Sequence, residues 1–240
     1  MKKGIELVEA ENYEKLSEIS AEAMVKCVKE KPNALFCLAS GGSPTLAYKL
    51  FIERVIKENI DISKLRILKL DDWFGVEAED PCTSEFYVRK NFLEPLSISA
   101  ENYIGFNSGA EDGQSECKKI DEFLKEYGPI DLCILGLGKN GHLGLNEPRE
   151  YLEPFSHVVK IDSKTKTHDM LKATNVSINY GITIGVSQIM ASEKILFIVA
   201  GDEKTEAFNG FLEKKVRCSL PASILWLHPN TLCVFESRCK

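Results

Sequence analysis

Apolar positions along the 240-residue chain alternate between two periods. Tyr13, Leu16, Ser20, Ala23, Met24, Cys27 and Val28 recur at the spacing of one helix face, and Pro32 predicts the end of that helix before a short apolar run at 34–38. After the Gly41-Gly42 turn, Ser43 is placed to cap a helix with Pro44 at its first position and Leu46, Leu50, Phe51, Val55 and Ile56 along its body. A strand is predicted at about 65–70, an irregular segment from there to Pro81, and helices near 84–94 and 114–127. The run Ile130 to Leu137 is apolar on both faces, as a central parallel strand is. Strands near 194–200 and 231–235, with helices near 202–214 and 221–227, complete the pattern. This alternation implies an α/β fold, with a parallel sheet covered by helices on both faces and ligands beyond the carboxyl ends of the strands.

Composition narrows the choice of partner. Thirty Lys+Arg against 36 Asp+Glu give a net charge of −6, which speaks against nucleic acid but leaves room for one small anion held by a few placed donors. Hydrophobic residues at 44% and charged residues at 28% are ordinary globular usage, and no repeat or low-complexity linker divides the chain. A single domain over 1–240 is therefore expected. With no export-like start and no apolar run approaching membrane length, the expected location is the cytoplasm, with no membrane partner. The eight cysteines contain no C-x-x-C pair, and Cys37, Cys133 and Cys233 sit inside strand-like apolar runs. Buried free thiols are the expectation.

Three loops that follow strands carry the candidate chemistry. In Ala39-Ser40-Gly41-Gly42-Ser43-Pro44-Thr45 the glycines allow close approach to an anion, the next helix offers free amides, and three hydroxyls add donors. A plain turn and helix cap explains the loop equally well. Leu70-Asp71-Asp72-Trp73 ends an apolar strand in two acids whose side chains point to opposite sides, so one can face the cleft while the other braces a loop. An apolar wall beside such an acid would raise its pKa and suit a general base.

The third loop, Leu135 to Pro148, has four glycines in nine residues around His142, with Asn140 and Glu147 nearby. That setting favours an acid–base histidine over a metal ligand, since the other histidines form no ligand-spaced set with it. Lys204 begins a helix after an apolar strand, where a cation opposes the helix dipole, and His168 lies in a basic segment. Both are candidate anion binders.

These three loops, together with Ile182-Thr183-Ile184-Gly185-Val186 and Gly201-Asp202-Glu203-Lys204, resemble the hexosamine-6-phosphate deaminases, also called glucosamine-6-phosphate isomerases, in the same order from about residue 34 onward. The resemblance implies a Rossmann-like sheet in a single domain. It also implies an aminosugar 6-phosphate as the small-molecule partner, no cofactor and no metal. The reaction would use water and yield a ketose 6-phosphate and ammonia, as in amino sugar catabolism. Asp71 matches the carboxylate that moves a proton from C2 to C1, His142 the ring-opening histidine, and Glu147 the acid that orients it. Asn140 stands beside them. Ser43 and Lys204 match sugar-phosphate binders, and Ser40, Gly41, Gly42 and His168 complete the expected anion site.

Two positions depart from the glucosamine-6-phosphate pattern, Asn140 where Asp is usual and His168 where Arg is usual. Asn140 removes a charge near His142, and His168 replaces a permanent phosphate clamp with a pH-dependent one, so KM is expected to rise as pH climbs through the histidine pKa. The wording of the third loop and of Pro221 to His228 resembles the galactosamine-6-phosphate branch most, which would make tagatose 6-phosphate the product. The rivals are a 6-phosphogluconolactonase-type hydrolase, which has no use for a C2 base, and a non-catalytic sugar-phosphate sensor. The pattern leaves a homo-oligomer open.

Overall fold

The computed structural model describes residues 4–174 and 176–240. Strand β1 (Gly4–Ala10) leads to helix α1 (Tyr13–Glu30), which opens where the Asn12 side chain accepts the Lys15 amide at 2.8 Å. β2 (Leu35–Leu38) is wholly buried and feeds α2 (Gly42–Lys57). β3 (Arg66–Lys69), β4 (Asp71–Phe74), α3 (Ser84–Val88) and β5 (Tyr103–Ile104) follow, and α3 runs straight into one wide helical turn at Arg89–Leu93. Next come α4 (Gly113–Tyr127), β6 (Leu132–Gly136), β7 (His157–Lys160), β8 (Tyr180–Thr183) and α5 (Val186–Met190). The chain ends with β9 (Ile195–Val199), α6 (Thr205–Leu212) and β10 (Asn230–Glu236).

Seven strands form one parallel sheet in the order β1-β10-β9-β6-β2-β3-β5. One face buries Leu16, Met24 and Val28 of α1 with Phe51 of α2. The other buries Ile120 of α4, Ile189 of α5 and Phe208 and Phe211 of α6. The expected α/β class with helices on both faces is what the chain adopts. From β2 the chain moves outward to β3 and β5 and then returns to β6 on β2's other side, so a crevice opens between the carboxyl ends of β2 and β6.

Several elements differ from the sequence expectation. The segment after Leu70 is not irregular throughout, because β4 pairs antiparallel with β8, which pairs with β7, in a separate three-stranded sheet. The sheet's strands are four residues each and cover a small apolar cluster of Trp73, Leu145 and Val159, too short a run to show a clear period. The edge strand β1 belongs to the large sheet and was not anticipated. The segment 221–227 is a run of 3-10 turns, and 202–214 divides into a 3-10 turn at Asp202–Lys204 and α6. α2 begins two residues earlier than predicted: Gly41, at φ +99°, holds the cap position, and Ser43 falls in the first turn without capping. All eight cysteines are free, six of them buried.

One buried ionic cluster fixes the carboxyl end of β3. The Lys69 ammonium, fully buried, donates to Asp72 Oδ2 at 2.6 Å, Glu85 Oε2 at 2.8 Å and the Phe106 carbonyl at 2.8 Å. Asp72 in turn accepts the amides of Trp73, Ser84 and Glu85, which sets the start of α3. Replacing Lys69 by Met would leave Asp72 in the interior without its cation and Glu85 with Arg89 alone. Lys69→Met is expected to lower the unfolding free energy by about 3–5 kcal/mol, read as a shift in the urea midpoint at unchanged slope. An unchanged midpoint would mean the cluster is not a stability element.

Candidate active site

Loops at the carboxyl ends of β2, β3, β6 and β9 enclose a cavity of about 420 Å³. Ser40, Gly41, Gly42, Ser43, Asp71, His142, His168 and Lys204 all line it, so the sequence candidates from five separate segments meet in one place. Asn140 and Glu147 do not line the cavity. They stand behind His142.

The first loop supplies backbone and hydroxyls. Gly41's positive φ turns the chain into α2, and the Ser40 hydroxyl lies 2.8 Å from that of Ser84. Thr45, expected as a third donor, is already engaged: its hydroxyl donates to the Gly41 carbonyl at 2.8 Å and lies 2.7 Å from the Tyr87 hydroxyl. It braces the turn instead of facing the cavity.

The paired acids divide as their alternation requires. Asp72 is buried in the Lys69 cluster, and Asp71 lines the cavity with only a long contact, 3.5 Å, from the Ser84 hydroxyl. Burial, with the neighbouring Asp72 charge adding to it, pushes the Asp71 pKa up to about 7 against the opposing pull of Lys69. Burial is thus the larger cause, as an apolar wall beside the acid would act, and the like charge one residue away adds to it. Lys69 spends its bonds on Asp72 and Glu85, which leaves Asp71 without a cation of its own.

His142 is held from behind. Its Nδ1 lies 3.4 Å from Glu147 Oε2 and 3.1 Å from Thr165 Oγ1, so Nε2 is the nitrogen left to exchange a proton. A Cβ at Gly138 would sit 2.3 Å from the imidazole, so that glycine makes room for the ring. Burial pushes the Glu147 pKa up, but bonding to His142, the imidazolium charge and bonds from Asn140 and Thr165 outweigh it and bring the pKa down to about 2. Asn140 donates to Glu147 Oε2 at 2.8 Å and to Asp162 Oδ1 at 3.2 Å, and its own oxygen accepts the His142 amide at 3.2 Å. A carboxylate therefore does stand near Asn140. It comes from Asp162, 22 residues along the chain.

Lys204 is mostly buried and its pKa is lowered by that burial, with Glu203 at 3.8 Å as its ion-pair partner. His168 accepts the Met170 amide on Nδ1 at 3.3 Å, which puts the neutral ring's proton on Nε2. That nitrogen lies 3.4 Å from where a Cβ on Gly41 would be. Burial, reinforced by the charges of His142 and Lys204, lowers the His168 pKa to about 4. With a pKa near 4 the ring is a neutral Nε2–H donor at neutral pH, where the sequence suggested a pH-dependent cationic clamp.

Sequence reasoning missed Asp162, Thr165, Ser84 and Lys139. Thr165 sits inside the basic segment already singled out and Lys139 inside the histidine loop, whereas nothing around Asp162 or Ser84 marks them. His228, by contrast, is a structural histidine, with its nitrogens 2.9 Å from Thr231 Oγ1 and 2.8 Å from the Ser192 carbonyl.

Known proteins share both the sequence pattern and the fold. The family described as glucosamine-6-phosphate isomerases/6-phosphogluconolactonase matches residues 8–234. The AgaI protein of Escherichia coli strain K12, to which a deaminase activity is ascribed, is 38% identical over 231 residues, covering 96% of this chain and 92% of its own. Glucosamine-6-phosphate deaminase of Thermoanaerobacter pseudethanolicus is 35% identical over 229 residues, covering 95% and 90%. The solved structure of a monomeric glucosamine-6-phosphate deaminase of the NagB superfamily superposes with a TM-score of 0.93 at 29% identity, covering 98% of each chain. The chain belongs to the glucosamine-6-phosphate isomerase/6-phosphogluconolactonase family.

Proposed function

We propose that the protein is a hexosamine-6-phosphate deaminase that converts galactosamine 6-phosphate or glucosamine 6-phosphate and water into the ketose 6-phosphate and ammonia. The observation that carries this reading is Asp71: a cavity-lining carboxylate with a pKa near 7, set apart from a second proton-transfer unit at His142. A deamination of this kind needs two such groups, whereas hydrolysis of a lactone has no call for a base at C2. The relatives named deaminases at 35–38% identity over nearly the whole chain support the same choice.

In this reading the phosphate lies against the amides after Gly41, with the Ser43 hydroxyl, Lys204 and the neutral His168 Nε2–H as donors. His142 moves a proton from O1 to O5 and opens the sugar ring, and Glu147 stabilises the imidazolium formed on the way. Asp71 then takes the C2 proton and returns it to C1, which leaves an iminium at C2. Water adds there and ammonia departs, giving the ketose. The loop wording from Lys139 to Pro148 supports galactosamine 6-phosphate as the preferred substrate.

Purified protein assayed with both sugars for ammonia and ketose is expected to turn over at least one, with the galactosamine ester preferred. Release of ammonia from neither would sink the deaminase reading, and preference for the glucosamine ester would sink the branch assignment.

Asp71→Asn is expected to lower kcat by about a thousandfold and to abolish solvent exchange of the C2 proton, with phosphate-dependent binding nearly intact. Persistent exchange would show that another group is the base.

The raised pKa of Asp71 has two readouts. As a base it must be ionised, so kcat/KM should climb with pH through an inflection near 7; a profile flat from pH 5 to 8 would count against it. Its folded value lies above the ordinary 3.8, so folding favours the protonated acid, and the stability it contributes below pH 4 is lost as pH rises through 7. Asp71→Asn should therefore melt higher than the parent at pH 8, with the gap narrowing toward pH 5. An unchanged gap would place the titration elsewhere.

A further inference from the structure

Asn140 uses every polar atom of its side chain. Its nitrogen donates to Glu147 Oε2 at 2.8 Å and Asp162 Oδ1 at 3.2 Å, and its oxygen accepts the His142 amide at 3.2 Å. That pattern fixes the amide's orientation, because two carboxylates can be met only by the NH₂ edge. Asp162 returns the link from the other side: its backbone amide donates to Glu147 Oε1 at 3.2 Å. The same Asp162 Oδ1 accepts the Lys164 amide at 2.8 Å, which starts the 3-10 turn Thr165–Thr167, and Thr165 is the residue whose hydroxyl reaches His142 Nδ1. Asp162 itself does not line the cavity.

We propose that Asp162 is a positioning residue for the His142–Glu147 pair, acting through the Asn140 amide and through the turn that carries Thr165. Asp162 supplies the second carboxylate of this cluster, and its presence requires an amide at position 140. An aspartate there would set its carboxylate at bonding distance from two others, Glu147 and Asp162, with no N–H of its own to offer either. With the amide, each carboxylate is bonded and Glu147 is held at the imidazole in a single orientation. Residues 140 and 162 are thus one unit drawn from two loops, and a change at either has its effect through the other.

The kinetic part of this inference rests on the deaminase reading; the pairing does not. The test compares the parent with Asn140→Asp, Asp162→Asn and the double variant, using kcat, KM and thermal midpoint. Asn140→Asp is expected to lower both kcat, by about tenfold or more, and the melting temperature. Asp162→Asn should lower kcat severalfold at unchanged KM, since it lies outside the cavity. The double variant, which returns the cluster to two carboxylates, should be more active and more stable than Asn140→Asp alone.

Additive losses in the double variant would overturn the pairing. Coupling in the melting temperature with kcat unmoved by Asp162→Asn would overturn the positioning role. If the parent releases no ammonia, the deaminase reading fails by itself. The melting temperatures then still decide the pairing, because recovery in the double variant upholds it and additivity refutes it.

Discussion

A single buried ammonium, that of Lys69, sets much of what surrounds the active site. It neutralises Asp72 and Glu85 where no water can, and Asp72 uses its remaining lone pairs to hold the amides that begin α3. That places Ser84 between Ser40 of the glycine loop and Asp71 of β4. Burial, with the like charge of Asp72 adding to it, pushes the pKa of the neighbouring Asp71 up to about 7. One acid of the pair is locked into bonds in the interior, and the other faces the cavity with a raised pKa.

The His142–Glu147 pair is built by the opposite means. Glu147 is buried as well, yet it gains bonds from Asn140 and the imidazole and stays ionised, with its pKa near 2. Burial acts in the same direction on both acids, and the bonding partners decide the outcome. The two groups reach the cavity from different strands of the large sheet, Asp71 from beyond β3 and His142 from beyond β6. Phosphate-binding candidates sit on three further segments, after β2, β7 and β9.

The large sheet was legible because its central strands are apolar on both faces, as in the stretch ending at Leu137, and because helix faces such as Leu16–Met24–Val28 keep one period. The loops at the strand ends were legible by their glycines and polar residues. What escaped was whatever depends on two distant segments meeting. The four-residue strands β4, β7 and β8 are too short to show a period and owe their existence to one another. The 3-10 turns at 221–227 read as a helix because a short apolar run does not reveal its pitch. Asp162 carries no local mark of its place beside Asn140, and the low pKa of His168 comes from burial and from cations that the chain brings there only on folding.

The small antiparallel sheet gives the distance between the two chemical groups an unusual character. Thr183 lies opposite Asp71 in the β4–β8 register, and its hydroxyl accepts the Leu145 amide at 3.2 Å in the histidine loop. The span from base to imidazole is therefore counted in strand residues, like notches on a rule. A pairing register shifts only by whole residues, and a shift of one would turn Asp71 away from the cavity. Fine adjustment of that span is closed to this scaffold, and graded adaptation to a differently shaped sugar is left to the loops around it.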